Sequence, residues 1–256
     1  MVRGPGRVTT RGLWAVIGAS FLFSSLFLGG ACTEPHSGVI SSHWCARDAT
    51  VDTLDDFEDG DGALCNGWGK WILTAGAGIT STTPVAADGT LLGPEPTTEG
   101  PATLTAGDAG NTRALHVTAG GFTAGTGADP NYWAVLRATF VPPGAISIAT
   151  YTGLRFRAIS AVPVRLRVNV ATDVTRDQAA GDAFGRTVAV DASGAQTTVM
   201  FATTTQEGYG PPIPQDFTGA VLLSFDFKLA SQYVDDPRDT NPDSFDLWLD
   251  DVQLVK

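Results

Sequence analysis

The residues best suited to chemistry stand in two acidic runs, Leu54-Asp55-Asp56-Phe57-Glu58-Asp59-Gly60-Asp61-Gly62 and Phe245-Asp246-Leu247-Trp248-Leu249-Asp250-Asp251-Val252-Gln253-Leu254. In the second, Phe245, Leu247 and Leu249 share one face of a strand, whereas Val252 and Leu254 have the opposite parity. A bulge at Asp250-Asp251 reconciles the two sets. Carboxylates at such a kink in an apolar strand need a compensating cation. Calcium would serve, because it takes roughly six to eight oxygens from carboxylates and carbonyls in flexible geometry. The first run offers the same kind of ligand, and the first and last strands of a sandwich commonly lie near each other.

A second constellation is basic. In Leu154-Arg155-Phe156-Arg157-Ala158 and Val164-Arg165-Leu166-Arg167-Val168 the apolar residues take one parity and the four arginines the other. Together Arg155, Arg157, Arg165 and Arg167 could form the floor of a groove for an anionic glycan, since guanidinium matches carboxylate and phosphate bidentately. The competing reading pairs them with the chain's own acids, Asp226 on another alternating strand among them. The aromatic residues Trp68, Trp71, Tyr132, Trp133, Tyr151 and Tyr209 are open between a ligand platform and core packing. Trp248, opposite in parity to Leu247 and Leu249, either lines an open face or is covered by a loop.

Catalytic patterns are weaker. Of three histidines, His36 and His43 lie near the N-terminus, which leaves His116 for a Ser-His-Asp arrangement, and it sits inside the strand pattern Ala-Leu-His-Val. A hydrolase using two groove carboxylates stays open as a class, although acids in Asp-Gly turns are usually solvated. Gly120-Gly121-Phe122-Thr123-Ala124-Gly125-Thr126-Gly127 has no phosphate-binding lysine and no following helical pattern, so it reads as a loop. No catalytic centre is expected.

The elements that must position these residues are strands. Thirty glycines and fifteen prolines among 256 residues, with only 17% charged residues, describe short strands and turns rather than helices. Strand patterns recur at residues 114–118, 133–140, 153–159, 164–170, 187–190, 197–201, 220–229 and 245–255, and none carries a 3.6-residue stripe. Each buries one face, as a two-sheet antiparallel sandwich requires. Residues 73–111, rich in Thr, Ala, Gly and Pro, read as a long loop excursion.

The formal charge is −11, but residues 1–31 hold three of the sixteen basic residues (Arg3, Arg7, Arg11) and none of the 27 acids, which leaves the remainder at −14. Such a chain is no nucleic-acid binder, since phosphate binding rests on Lys and Arg. Those arginines precede an apolar run, Leu13 to Leu28, that is short for a bilayer span of ~20 residues and suits a signal peptide over 1–31. The run ends in Leu28-Gly29-Gly30-Ala31-Cys32, which resembles the lipobox of bacterial lipoproteins. Gly29, however, stands where the motif usually has Leu. Lipidation of Cys32, with residues 32–50 as a tether to the membrane, competes with ordinary cleavage near Ala31. Cys45 and Cys65 are then left to pair on the oxidising side, for on the order of 3 kcal/mol. Zinc is a poor rival, as neither cysteine belongs to a C-x-x-C pair.

Across residues 51–256, Leu54-Asp55-Asp56-Phe57-Glu58-Asp59-Gly60, Ala114-Leu115-His116-Val117, Tyr151-Thr152-Gly153-Leu154-Arg155-Phe156, Gln206-Glu207-Gly208-Tyr209-Gly210 and the terminal stretch from Phe245 to Val252 follow an order that resembles family 11 carbohydrate-binding modules and related galactose-binding-like jelly rolls. The resemblance implies an all-β jelly-roll sandwich that binds a polysaccharide in its groove without catalysis. It also implies a structural calcium held by Glu58 and Asp250, with Asp251 and Asp61 beside them. Two departures bear on the ligand. Trp68 and Trp71 are separated by Gly69 and Lys70 where members often have an aromatic pair just after the opening acidic segment, and Arg157 stands where relatives often have an aromatic after the Leu-x-Phe of the central strand. The expected ligand-binding set is Arg155, Arg157, Arg165, Arg167, Tyr209, Trp68, Trp71 and Trp248, on a protein of the cell envelope. The alternative is a cell-surface assembly protein that holds a protein partner on the same sandwich.

Overall fold

In a computed structural model of the chain the described residues are 45, 47–76, 79–81, 83, 85, 90–91, 93, 95–96, 113–122, 133–141, 146–230 and 242–256. The chain divides into units 1–38 and 39–256, and every described residue belongs to the second. The expected signal peptide and Cys32 therefore lie outside the described residues, as do His36, His43 and Tyr132.

Among the described residues twelve strands, β1 Val51–Asp55, β2 Ala63–Leu64, β3 Gly69–Ala75, β4 Glu95–Pro96, β5 Arg113–Gly120, β6 Trp133–Phe140, β7 Gly153–Ser160, β8 Val164–Thr172, β9 Phe184–Val190, β10 Gln196–Met200, β11 Leu222–Ala230 and β12 Ser244–Val255, form two antiparallel sheets. The first runs β10-β7-β12-β5-β4, with β1 also on β12; the second runs β2-β3-β6-β11-β8-β9. From β5 to β8, and again from β9 to β12, successive strands alternate between the sheets, which is the jelly-roll wiring of a β-sandwich.

The alternating sequences bury their apolar parity between the sheets. Leu154 and Phe156 of β7 face Leu166 and Val168 of β8 and Phe225 and Phe227 of β11 in one continuous core. Phe156 meets Phe227 edge-on at 5.2 Å, and Phe140 meets Phe225 at 5.9 Å. Edge-to-face pairs of this kind contribute about 0.5–1.5 kcal/mol beyond their buried area.

The predicted kink lies in β12. One edge of this strand pairs with β7 over most of its length. The other edge pairs with β5 as far as Leu249↔Leu115 and then with β1 from Val252↔Asp55 onward. Asp250 and Asp251 fall where β5 gives way to β1, the register to β7 shifts between Asp250 and Gln253, and Asp251 takes φ +50°. The bulge moves Val252 and Leu254 to the core side, where both are fully buried.

Three parts of the sequence reading change. Leu73, placed at the start of an excursion, belongs to β3, and Leu91 packs in the core beside the Ile72↔Thr90 bridge, so residues 73–111 are not one excursion; positions 97–112 lie outside the described residues. Within the expected tether of residues 32–50, Cys45 is buried and disulfide-bonded to Cys65. A helix, α1 Asp173–Gln178, follows β8, capped by the Thr172 hydroxyl, which accepts from the Thr175 N–H at 3.2 Å. Six residues are too few to show a helical stripe.

Asp55 is the one acid of the first run that turns into the core. Its Oδ1 accepts from the Phe57 N–H at 2.8 Å, and its Oδ2 accepts from Nε1 of Trp71, in the opposite sheet, at 2.7 Å. Burial pushes its pKa well above the usual carboxylate range, and the charges of Asp59 and Asp56 add to this.

Two measurements follow. Replacing Cys45 and Cys65 by serine is expected to cost on the order of 3 kcal/mol, because their bond closes a loop across 20 residues of separation; a melting temperature equal to wild type would refute it. For Asp55 the folded-state pKa lies above the unfolded value, so its stabilisation is complete below about pH 4 and declines as pH rises toward the folded pKa. Urea titrations should show the stability advantage of wild type over Asp55→Asn narrowing as pH is raised from about 4, and a constant or widening gap would contradict this sign.

Candidate functional site

Because the apolar faces of β7 and β8 meet across the core, their arginines point away from each other. Arg155 and Arg157 lie on the outside of the first sheet, and Arg165 and Arg167 on the outside of the second. No single basic floor exists. On the first sheet, Arg155 donates from Nε and Nη2 to Oε1 of Gln253 at 2.9 and 2.5 Å, and Arg157 lies 3.9 Å from Asp251. On the second, Arg165 is half-buried opposite Ala189, whereas Arg167 has 0% exposure. Arg167 donates from Nη2 to the Thr205 carbonyl at 2.5 Å and from Nε to Oδ1 of Asn169 at 3.0 Å, with Glu207 at 3.5 Å.

Most of the aromatic candidates are also committed elsewhere. Trp71 has 0% exposure, holds Asp55 and packs against Phe57 and Phe227, so it is core and not a ligand platform. Trp248 is buried on the outside of the first sheet, stacked on His116 at 4.1 Å, which removes it from an open groove. His116 is itself joined to Asp246 at 2.8 Å. Trp68 is half-buried, with the Arg47 guanidinium 4.4 Å above its ring. Tyr151 donates its hydroxyl to Asp52 at 2.6 Å and is pushed up to about 12, first by burial and then by that carboxylate.

The acidic runs do come together, since β1 pairs with β12. Their carboxylates nevertheless do not gather as a calcium site requires. Glu58 Oε1 accepts from the Arg113 N–H at 2.8 Å, Asp61 Oδ1 from the Ala63 N–H at 2.7 Å, and the fully buried Asp250 accepts from the Asp251 N–H at 2.8 Å. Among the described residues the one trio of ligating side chains within 4.8 Å is Cys45, Asp56 and Cys65, and those two sulfurs are bonded to each other. Cationic groups reach the runs from the chain itself: the Arg113 guanidinium lies over Gly60, about 3.4 Å from where a Cβ would stand, and Arg157 lies beside Asp251. The predicted set of Glu58, Asp61, Asp250 and Asp251 thus does not fit a shared calcium ion.

The polar surface that the fold does assemble is the outside of the second sheet. Register sets Ile72 (β3), Arg137 (β6), Asp226 (β11), Asn169 (β8) and Gly185 (β9) in one row, and Thr74, Val135, Lys228, Arg167 and Thr187 in the next. Arg137 and Asp226 form a bidentate pair, with Nε to Oδ1 and Nη2 to Oδ2 both at 2.7 Å, and Ser224 donates to the same carboxylate at 2.8 Å. Lys228 meets Glu207 at 2.7 Å, and Asn169 donates to Glu207 at 3.4 Å. Glu207 comes from a loop laid against this face, and two residues on the same loop holds up Tyr209, 65% exposed. The Tyr209 hydroxyl donates to the Gly181 carbonyl at 2.8 Å. Its pKa is pushed up to about 12 by burial of the hydroxyl, then by the charges of Glu207, Asp182 and Asp226. Arg137 is raised above its ordinary value by its hydrogen bond to Asp226, with a smaller contribution from Tyr209, so the phenol and the ion pair share one neighbourhood.

Of the expected ligand set, Tyr209 alone combines an exposed ring with this surface. Arg137 and Lys228 were not singled out in the sequence, and Glu207 stood only within the quoted 206–210 motif. For Arg137 and Lys228 the only local signal was a charge at an outward parity of a strand, which many solvated positions share. Asp226 was expected as an arginine partner, and its partner is Arg137.

No protein-family model and no curated protein matches the chain. Solved structures do. The family 11 carbohydrate-binding module from Clostridium thermocellum, in complex with a β-1,3-1,4-mixed-linked tetrasaccharide, is 16% identical with a TM-score of 0.49, covering 82% of this chain and 97% of that one. The family 11 module of a cellulosomal cellulase of the same organism is 17% identical with a TM-score of 0.44, over 80% and 94%. An exo-β-agarase is 10% identical with a TM-score of 0.43, over 80% of this chain and 25% of the agarase. Each of these structures is similar to this chain at a TM-score below 0.5, and the jelly-roll wiring is read from the strand pairings of the chain itself.

Proposed function

We propose that the domain binds a neutral polysaccharide on the outside of its second sheet, without catalysing its breakdown. The observation that carries this is the exposed Tyr209 ring, its hydroxyl tied back to Gly181, beside the bidentate Arg137–Asp226 pair. A flat aromatic face stacks on the CH face of a pyranose, while neighbouring polar groups exchange hydrogen bonds with its hydroxyls. Charge supports a neutral ligand over an acidic one. Arg137, Lys228 and Arg167 each already face a carboxylate of the chain, so a uronate or sulfate would have to displace Asp226 or Glu207. The same pairing supports binding over hydrolysis, since both acids of the face are engaged as ion-pair partners. Export and a lipid on Cys32 complete the proposal and rest on the N-terminal sequence.

Calorimetric titration separates the possibilities. A neutral mixed-linkage β-glucan is expected to bind and polygalacturonate to fail. Tyr209→Ala should weaken the β-glucan about tenfold, equivalent to ~1.4 kcal/mol, with an unchanged melting temperature. Binding of the acidic polymer alone would overturn the neutral reading, and silence from every glycan would overturn the function. For the anchor, Cys32→Ala in the producing cell should move the protein from the membrane to the soluble fraction; a distribution like wild type would reject lipidation.

A further inference from the structure

Tyr209 stands on a loop outside the strands, and one buried acid gathers the backbone amides around it. Asp182, in the turn between α1 and β9, has 0% exposure. Its Oδ1 accepts from the Glu207 N–H at 2.9 Å, and its Oδ2 accepts from the Gly208 and Gly210 N–H groups at 2.9 and 3.0 Å. One carboxylate thus accepts from three backbone donors on either side of Tyr209, whose own hydroxyl is held by the neighbouring Gly181 carbonyl. Gln206 closes the loop's base. Its Nε2 donates to the carbonyls of Asp182 and Pro211, both at 3.2 Å, and its Oε1 accepts from the Ile213 N–H at 2.9 Å.

The glycines of Gly208-Tyr209-Gly210 fit this geometry. Gly208 has φ +95°, a conformation that side chains disfavour. At Gly210 a Cβ would collide with the Ala179 carbonyl oxygen and crowd Asp182, so the loop can lie on its anchor only if that position is bare. Between these glycines the tyrosine is raised, while Glu207 is turned toward Lys228 and Arg167.

We infer that Asp182 is the positioning residue of the binding face, holding the Tyr209 loop in its ligand-ready form before any ligand arrives. This rests on the glycan reading of the face. The physical advantage is entropic: an aromatic platform that is already ordered spares the complex the cost of immobilising it, about 0.5–1.5 kcal/mol for each rotamer-rich side chain, together with the loop's own ordering. Asp182 touches no ligand in this scheme and acts through the three amides.

Two arms test it on the intact protein. In the absence of glycan, hydrogen exchange read by NMR should show the Glu207, Gly208 and Gly210 amides of Asp182→Asn exchanging at least about tenfold faster than wild type. The amides of Phe225 and Phe227 in β11 should be unchanged. In titrations with mixed-linkage β-glucan, Asp182→Asn should lose about as much affinity as Tyr209→Ala, and the double variant should lose no more than either single one, since both remove the same platform. Wild-type exchange at the three amides, or additive losses of affinity, would overturn the inference. Should Asp182→Asn also release the β11 amides, Gly210→Ala takes its place, because it lifts the loop while leaving the carboxylate intact. If wild type binds no glycan the proposed function falls, while the exchange arm still decides whether Asp182 holds the loop.

Discussion

One strand has to serve three neighbours, and the rest of the sandwich follows from how β12 does so. Its twelve residues pair with β7 along one edge and with β5 and then β1 along the other. A strand of strict two-residue period could not bury Phe245, Leu247 and Leu249 and then Val252 and Leu254. The left-handed backbone of Asp251 spends one residue to change parity, and the first strand of the domain closes onto the last. The cost is a pair of carboxylates at the junction of three strands. One of them, Asp250, is wholly buried, and the opposing cationic side chain in register with it is Arg157.

The sandwich also sorts charge by face. Two β-strands with the same alternating pattern, β7 and β8, look like one basic surface when read along the chain. The turn between them crosses from one sheet to the other, so their apolar residues face inward toward each other and their arginines outward on opposite sides. What remains on the second sheet is a face on which positive groups meet negative ones, Arg137 with Asp226 across neighbouring strands and Lys228 with Glu207 of the loop laid over it. Such a surface offers many hydrogen-bonding directions with little net field, which suits hydroxyl groups better than ionised ones.

Most of the strand framework was legible, because alternation is a local property. The patterns at Trp133–Phe140 and at Leu154–Ala158 could be assigned from parity alone, and the bulge at Asp250-Asp251 from its failure. β3 escaped because Gly69-Lys70-Trp71-Ile72-Leu73-Thr74-Ala75 lies beside a stretch rich in Thr, Ala, Gly and Pro and shares its loop-like end. The site was far less legible. Whether an outward tryptophan is covered depends on distant chain, as Trp248 under His116 illustrates. Trp71 drew notice for its size, but which side it faced depended on pairing with β6. Nothing near Asp182 in sequence announces that it will receive amides 25 to 28 residues away.

The disulfide has a mechanical meaning distinct from its effect on the unfolded chain. Cys45 and Cys65 enclose the whole of β1 within their loop. A pull applied to the chain on the N-terminal side of Cys45 therefore passes through the sulfur bridge to Cys65, just ahead of β3, and by-passes β1. The five-residue β1 carries no tension while the bridge is intact. Resistance to forced unfolding is set by the rate of the first rupture, and here that rupture is displaced from the β1–β12 pairing to the sheet on which the polar face lies.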